Sequence, residues 1–320
     1  MSSLTLPSGL LIERDFNLAP LTSWLVGGSA DFLVQPKTVE ELKDALRWAK
    51  AQKLAVTVLG GGTNVLVSDK GVRGLTIALR KMSGLESKEE GGQLKVTCLA
   101  GTSKSELLKT FLKFRLEPAM FLAGLPGDVG GGIVMNAGVG EMIQPREFVE
   151  ITEWIEILRE RAVEKSAEKA IEKGDDFEIV HLTKDKLNWN YRHCEGWKPG
   201  VVVRVGLAWP LEPSVDILQR VKAANQLRLS KQPLDMPSCG SVFRNPEGHK
   251  SGQLIESAGL KGFTIGGAKV SEKHANFIVN FNQATAEDVH QVISHVKATV
   301  KSKKGVDLHT EVVYLGDWAR

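Results

Sequence analysis

Cysteine is scarce in this chain of 320 residues: Cys98, Cys194 and Cys239 are widely separated and show no CxxC spacing. That excludes a disulfide framework and a cysteine-ligated zinc site, and fits reduced thiols. Histidine is sparse as well. The seven histidines form no HExxH pattern and none precedes His181, so no metal is expected. No apolar run approaches the ~20 residues of a membrane span, and the opening MSSLTLPSGLLIERD lacks the basic segment of a secretory signal. A cytoplasmic protein with no membrane association is the expectation. A net charge of only +3 gives no reason to invoke nucleic acid, although a locally basic pocket for a phosphorylated ligand remains allowed.

What is present is ordinary in bulk and informative in detail. An apolar fraction of 42% and a charged fraction of 25% favour a globular protein over disorder, and the length calls for two or three compact units. TVEELKDALRWAKAQ reads as a helix, with Thr38 and Glu41 as a capping box and Val39, Leu42, Leu46 and Trp48 or Ala49 on one face. A strand follows at Leu54 to Leu59. Further boxes open a helix at Ser103 and Glu106, running to Arg115, and another near Thr285, with Val289, Ile293, Val296 and Val300 inward and Gly305 as its stop. Strand-like runs LKVTCLA, GVVVRVGLAW, HANFIVNF and DLHTEVVYLG make the chain mixed α and β. The stretch Arg159 to Asp176 alternates acidic and basic residues and, if helical, reads as a solvated surface helix held by weak i,i+3 attractions. Pro210 and Pro213 punctuate a change of unit.

Two glycine-rich stretches stand out. LGGGTNVLVSD places Gly60, Gly61, Gly62, Thr63 and Asn64 straight after a strand. Either the backbone N–H groups converge there on an anion, or the loop is a tight strand-to-strand turn. The strand-like Val65, Leu66 and Val67 exclude a Rossmann site, whose glycines open a helix. The second stretch, AGLPGDVGGGIVMNAGVG, is too rich in glycine for turns alone, because each glycine adds to the entropy lost on folding. A large flat ligand of dinucleotide size, held between the two loops, is the natural candidate.

The chain resembles the UDP-N-acetylenolpyruvoylglucosamine reductases over nearly its whole length. The resemblance is carried by TSWLVGGSADFLVQP, LGGGTNVLVSDKGVRG, GLPGDVGGGIVMNAG, Tyr191 with Arg192, PSCGSVFRNP, SGQLIESAGLKG, VSEKHANFIVN and Glu311. The chain looks like the shorter variety, with no counterpart of the extra tyrosine-bearing loop. The fold so implied is α+β. A FAD-binding domain of the two-subdomain, non-Rossmann type spans 1–212, dividing near 80, and a smaller α+β substrate domain spans 213–305. The tail 306–320 is expected to pack back on the first subdomain.

The implied activity is hydride transfer from NADPH through non-covalent FAD to UDP-N-acetylglucosamine-enolpyruvate, giving UDP-N-acetylmuramate for peptidoglycan, by a monomer. The resemblance gives Arg192 the substrate carboxylate, Ser241 the proton donation and Glu311 a buried, protonated carboxyl. It assigns cofactor contacts to Gly60, Gly61, Gly62, Thr63, Asn64, Gly124, Pro126, Gly127, Gly131, Gly132 and Asn136, and substrate contacts to Tyr191, Lys231, Asn245 and His274. Two positions depart from the family pattern. Cys194 stands where serine is usual, and Asp128 stands where a small hydroxyl residue is common; Asp128 is expected to point away from the pyrophosphate or to cap a helix. Two rivals remain: a FAD-linked oxidase, some of which tether flavin through an N-terminal histidine absent here, and a non-catalytic nucleotide-sugar binder, disfavoured by the presence of Arg192, Ser241 and Glu311 together.

Overall fold

The computed structural model describes residues 4–139, 143–161 and 176–318. In the first unit, β1 (Leu4–Thr5), β2 (Leu11–Asn17), β3 (Ser29–Val34), α1 (Val39–Ala51), β4 (Val56–Leu59), β5 (Val65–Val67) and β6 (Val72–Ala78) succeed one another. Five of these strands form a sheet in the order β1-β2-β3-β6-β4, antiparallel at the start and parallel from β3 onward. Thr38 caps α1 by accepting from Glu41 N at 3.2 Å, while the Glu41 carboxylate accepts from Lys37 N rather than from the cap residue. Leu42, Ala45 and Ala49 are fully buried, and Trp48 lies edge-on to Phe32. The expected strand from Leu54 begins at Val56.

The second unit holds β7 (Leu85–Glu90), β8 (Gln93–Leu99), α2 (Lys104–Lys113), α3 (Pro118–Leu122), α4 (Val129–Val134), α5 (Phe148–Ile151), β9 (Thr152–Glu160), β10 (Phe177–Thr183), β11 (Trp189–Asn190), β12 (His193–Cys194), β13 (Val201–Pro210) and α6 (Ile217–Lys231). Its five-stranded sheet is antiparallel throughout, in the order β10-β9-β13-β8-β7. The helix opened by Ser103 ends at Lys113, two residues short of the expected Arg115, which takes a left-handed φ of 55°.

The expected surface helix from Arg159 starts as strand instead: Glu160 pairs with Phe177, and Arg161 N donates to Asp176 O across the neck of the hairpin. The β9–β10 ladder fixes these residues before any helix could begin; the remainder of that expectation, 162–175, lies outside the described residues. After Pro213 the chain does not leave this unit. Ile217 and Val221 of α6 are buried in the core shared by the first two units.

The third unit comprises α7 (Ser251–Ser257), β14 (Thr264–Ile265), β15 (Ala268–Val270), β16 (Ile278–Asn280), α8 (Ala286–Lys304) and β17 (Val313–Leu315). The antiparallel order is β14-β15-β16. Val289, Ile293, Val296 and Val300 are buried along α8, Thr285 and Asp288 form its capping box, and Gly305 ends it at φ 71°. Two features bind this unit to the first. Trp24, fully buried in the core of the third unit, donates from Nε1 to Ile278 O at 2.7 Å, and β17 adds to β5 as a parallel partner.

A third tie is less obvious. Asp69, just after β5, accepts from Ala286 N at 2.9 Å and from Glu287 N at 2.8 Å, so one unit caps a helix of another. A carboxylate at a helix N-terminus both fills orphan donors and meets the positive end of the helix dipole. Asp69→Ala is expected to lower stability by about 1 kcal/mol, read as an earlier midpoint in urea denaturation.

Candidate active site

The two glycine stretches meet closely because a glycine stands on at least one side of each point of contact. A Cβ on Gly61 would lie 2.8 Å from Gly127 Cα, and one on Gly127, at φ 90°, would lie 2.6 Å from Thr63 Oγ1. The second stretch is a helix where it is richest in glycine. Three consecutive glycines cost about 1 kcal/mol each relative to alanine, yet α4 forms because larger residues would not fit. A Cβ on Gly130 would sit 2.9 Å from Ala100 Cβ, and one on Gly132 would sit 2.5 Å from the Phe148 ring. Asp128 caps this helix, accepting from Gly131 N at 2.9 Å.

Around this junction opens a cavity of about 1950 Å³ reaching all three units, well above the few hundred to ~1,000 Å³ of a pocket for one small ligand. Gly60, Gly61, Gly62, Thr63, Asn64, Gly124, Pro126 and Gly131 line it, as do Tyr191, Arg192, Lys231, Ser241, Asn245, His274 and Glu311. Gly127, Gly132 and Asn136 do not lie on its wall. The two glycines are filled against Thr63 and Phe148, and Asn136 is buried with its amide bonded to Glu147 Oε2 at 3.0 Å and to Asn190 O at 3.1 Å.

Ser241 and Glu311, seventy residues apart in sequence, come together through backbone. Glu311 N donates to Val242 O at 2.8 Å, and Phe243 bridges Thr310. Asn276 clamps the same segment, accepting from Phe243 N at 3.0 Å and donating to Phe243 O at 2.8 Å. Sequence reasoning did not single out this asparagine, whose buried amide is a structural clamp. On the glycine side, Asn64 Nδ2 donates to Glu311 O at 3.2 Å.

Arg192 sits on the tight turn between β11 and β12, at a left-handed φ of 55°. Its Nη1 reaches Glu147 Oε1 at 3.0 Å and Asn136 O at 3.4 Å, Nη2 donates to Gly138 O at 3.0 Å, and Nε lies 3.4 Å from Glu311 Oε1. Of the five N–H groups of a guanidinium, three are hydrogen-bonded, two on Nη1 and one on Nη2, while Nε makes only the longer ionic contact to Glu311. Burial raises the Glu311 pKa, opposed by the nearby Arg192 and Arg244.

Lysine and arginine gather where the third unit faces the cavity: Arg228, Lys231, Lys250 and Lys273 all line it. Arg228, missed in the sequence, is anchored to Gln232 Oε1 at 2.9 Å, and its partial burial lowers its pKa. His274 is likewise lowered by burial, and its Nδ1 accepts from Asn276 N at 3.3 Å, so the ring is neutral at physiological pH. Asn245 commits its carbonyl to Ser251 N at 3.0 Å. Cys194 lies off the cavity wall, its buried thiol donating to Leu187 O at 3.2 Å with a pKa pushed up to about 11. Among the described residues, no group of three or more histidines, cysteines or carboxylates could hold a metal ion, and no helix is long and apolar enough to cross a membrane.

Comparison with known proteins gives this arrangement a family. The family described as FAD binding domain matches residues 30–158, and that described as UDP-N-acetylenolpyruvoylglucosamine reductase, C-terminal domain, matches residues 232–315. A UDP-N-acetylenolpyruvoylglucosamine reductase of Synechococcus sp. (strain WH7803) is 38% identical over 96% of this chain and 94% of its own length. The chain belongs to this reductase family. The reductase of Limosilactobacillus reuteri is also 38% identical, over 95% of both chains. The crystal structure of the Thermus caldophilus reductase superposes with a TM-score of 0.71 at 30% identity, covering 96% of this chain and 99% of that one.

The residues present fit the family's FAD. The glycine junction leaves bare backbone where a diphosphate needs close approach, and Arg80 is fixed beside it by Nη2 donating to Gly61 O at 2.5 Å. Asp128 is the discordant residue. It caps a helix, as one of its two expected placements required, yet lines the cavity with Oδ2 buried and without a hydrogen-bond partner among the described residues. Burial raises its pKa; Lys104, itself buried and lowered to about 8, and Arg80 oppose that rise.

The raised pKa of Glu311 carries a stability consequence. The folded protein binds this proton more tightly than the unfolded chain, so the contribution is complete below the unfolded carboxyl value of ~4.3 and is lost as pH rises through the folded value. Glu311→Gln is expected to gain stability relative to the parent protein as pH increases from about 4 to about 8, measured by urea denaturation across that range.

Proposed function

We propose that this protein reduces the enolpyruvyl ether of UDP-N-acetylglucosamine-enolpyruvate to UDP-N-acetylmuramate, a step of peptidoglycan synthesis, using FAD and NADPH. The observation that carries the reading is the convergence of Arg192, Ser241 and Glu311 on the cavity that also holds the glycine junction. FAD held at the glycine junction would supply the hydride chemistry, with NADPH as donor and the terminal vinyl carbon of the substrate as acceptor.

The chain's own residues do the rest. Negative charge develops on the carbon beside the substrate carboxylate and spreads into that carboxylate as an enolate. Arg192 lies at the wall with its charge fixed by Glu147 and two backbone carbonyls, so stabilising the enolate needs no reorganisation. Glu311, whose affinity for its proton burial raises against the opposing pull of Arg192 and Arg244, is the group assigned to donate to the enolate oxygen. Ser241 gives its hydroxyl proton to the carbon; a serine is a weak acid, but a carbanion beside a carboxylate is basic enough when the hydroxyl is positioned.

Tyr191 stacks on the Arg192 guanidinium, 4.8 Å from ring centre to Cζ, and stands at the mouth of the site. Lys231, with Arg228, Lys250 and Lys273, supplies positive charge for the diphosphate of the nucleotide sugar, and Asn245 and His274 offer the remaining polar contacts.

FAD contact is assigned to Gly60, Gly61, Gly62, Thr63, Asn64, Gly124, Pro126 and Gly131, with Gly127, Gly132 and Asn136 shaping the loops from behind. The reading divides the chain after Lys231 rather than at 213, because α6 packs with the second unit. It also implies a monomer in the cytoplasm, where NADPH and nucleotide sugars are found.

The decisive experiment is anaerobic bleaching of the flavin by NADPH followed by its reoxidation with the enolpyruvyl nucleotide sugar. Reduced flavin that the substrate cannot reoxidise would remove the reading. Ser241→Ala is expected to keep NADPH oxidation within about twofold while lowering substrate turnover at least ~100-fold, the range of a lost general acid; equal losses in both half-reactions would mean a structural role. Replacing Asp128 by serine keeps a capping oxygen for Gly131 N and removes from the cavity wall the carboxyl oxygen that is buried without a hydrogen-bond partner. Asp128→Ser apoprotein should bind FAD several-fold more tightly than the parent in a fluorescence titration.

A further inference from the structure

Two largely but not fully buried carboxylates compete for one guanidinium in this site. Glu147, Arg192 and Glu311 have side chains exposed by only 17%, 12% and 18%. Arg192 lies nearer to Glu147, at 3.0 Å from Nη1, than to Glu311, at 3.4 Å from Nε. The other oxygen of Glu147 is satisfied by Asn136 Nδ2 at 3.0 Å. Glu147 thus has a cation on one oxygen and an amide on the other, while the Glu311 carboxyl has the longer contact to Arg192 and the more distant charge of Arg244.

The chain holds this geometry firmly. Glu147 is the N-cap of α5, and the Glu150 carboxylate accepts from Arg146 N at 3.0 Å and Glu147 N at 3.2 Å. Asn136, at a left-handed φ of 39°, accepts from Val149 N at 3.1 Å. Gly138 bridges Glu147, and a Cβ there would come within 2.6 Å of Glu147 Cγ and 3.1 Å of Arg192 Nη1, so only glycine lets the two side chains pass.

We propose that Glu147 is a positioning residue of the reductase: its carboxylate fixes the Arg192 guanidinium and satisfies its charge, leaving Glu311 without a full counter-ion. The inference rests on the catalytic reading above and deepens it. An arginine already paired with Glu147 does not force Glu311 to ionise, so Glu311 can face the substrate as an acid while Arg192 still presents a fixed positive edge. The charged groups facing Glu311 are Arg192, on the turn before β12, and Arg244, on the segment paired with His309; Glu147 acts on it through Arg192.

The test uses the FAD-loaded protein and the variants Glu147→Gln and Glu147→Asp. In Glu147→Gln the Arg192 charge turns to Glu311, which then ionises at lower pH. The alkaline limb of substrate reduction should move down by about one pH unit, a loss of up to ~10-fold on that limb, with flavin reduction by NADPH unchanged. Glu147→Asp should return the limb toward its parent position.

A second readout does not depend on turnover: the infrared carboxylic-acid band that disappears in Glu311→Gln should titrate at lower pH in Glu147→Gln than in the parent. An unmoved band and an unmoved limb, with only a lower Tm, would overturn the proposal and leave Glu147 as a brace for α5. If the parent fails to reduce the enolpyruvyl substrate while the band still shifts, the assigned reaction fails and the charge coupling stands.

Discussion

The structure depends on one steric constraint: two backbones must touch where the first and second units meet. Gly61 against Gly127, and Gly127 against Thr63, leave no room for a single added carbon. That contact sets the relative placement of β4 and α4, and so the floor of the cavity. It also accounts for the cost the sequence bears in building α4 from three adjacent glycines. Propensity opposes such a helix, but an aspartate cap and flush packing on Ala100 and Phe148 override it. The floor is therefore closely packed for the same reason that it is bare.

From this floor the site is assembled by long-range pairing rather than by any local motif. Ser241 and Glu311 belong to segments joined by backbone hydrogen bonds, and Arg192 arrives on a two-strand turn whose left-handed residue is the arginine itself. Charge is distributed with the same economy. One largely buried guanidinium is shared unequally between two carboxylates, nearer to Glu147 than to Glu311.

Much of the fold was legible because it is locally encoded. Thr38, Ser103 and Thr285 each announced a helix by its cap, and the valines of α8 gave its buried face. Val65 to Val67 read correctly as a strand after the glycines. What was not legible depends on partners distant in sequence. In GDVGGGIV the one hint of a helix was Asp128, expected to cap one or to point away; the glycines themselves signal none without Phe148 and Ala100 to pack on. The alternating charges after Arg159 suggested a helix, whereas ladder pairing with Phe177 and Glu178 makes Arg159 and Glu160 the end of a strand. Arg192, Ser241 and Glu311 were found through resemblance to a family. Glu147 and Asn276 were not found, because the sequence does not reveal that a glutamate before a short helix lies 3.0 Å from an arginine 45 positions later. Its one local trace is Glu150 three residues on, the spacing of a capping box.

The pairing of β17 with β5 sets an order of events during synthesis. Asn64, beside the first glycine loop, gives its amide to Glu311, 247 residues away, and β5 has its parallel partner in Val313–Leu315. A nascent chain that has emerged as far as α6 carries both glycine stretches but lacks the strand that orders one side of them. A chain cut short before residue 311 therefore lacks Glu311 and the strand that pairs with β5 together.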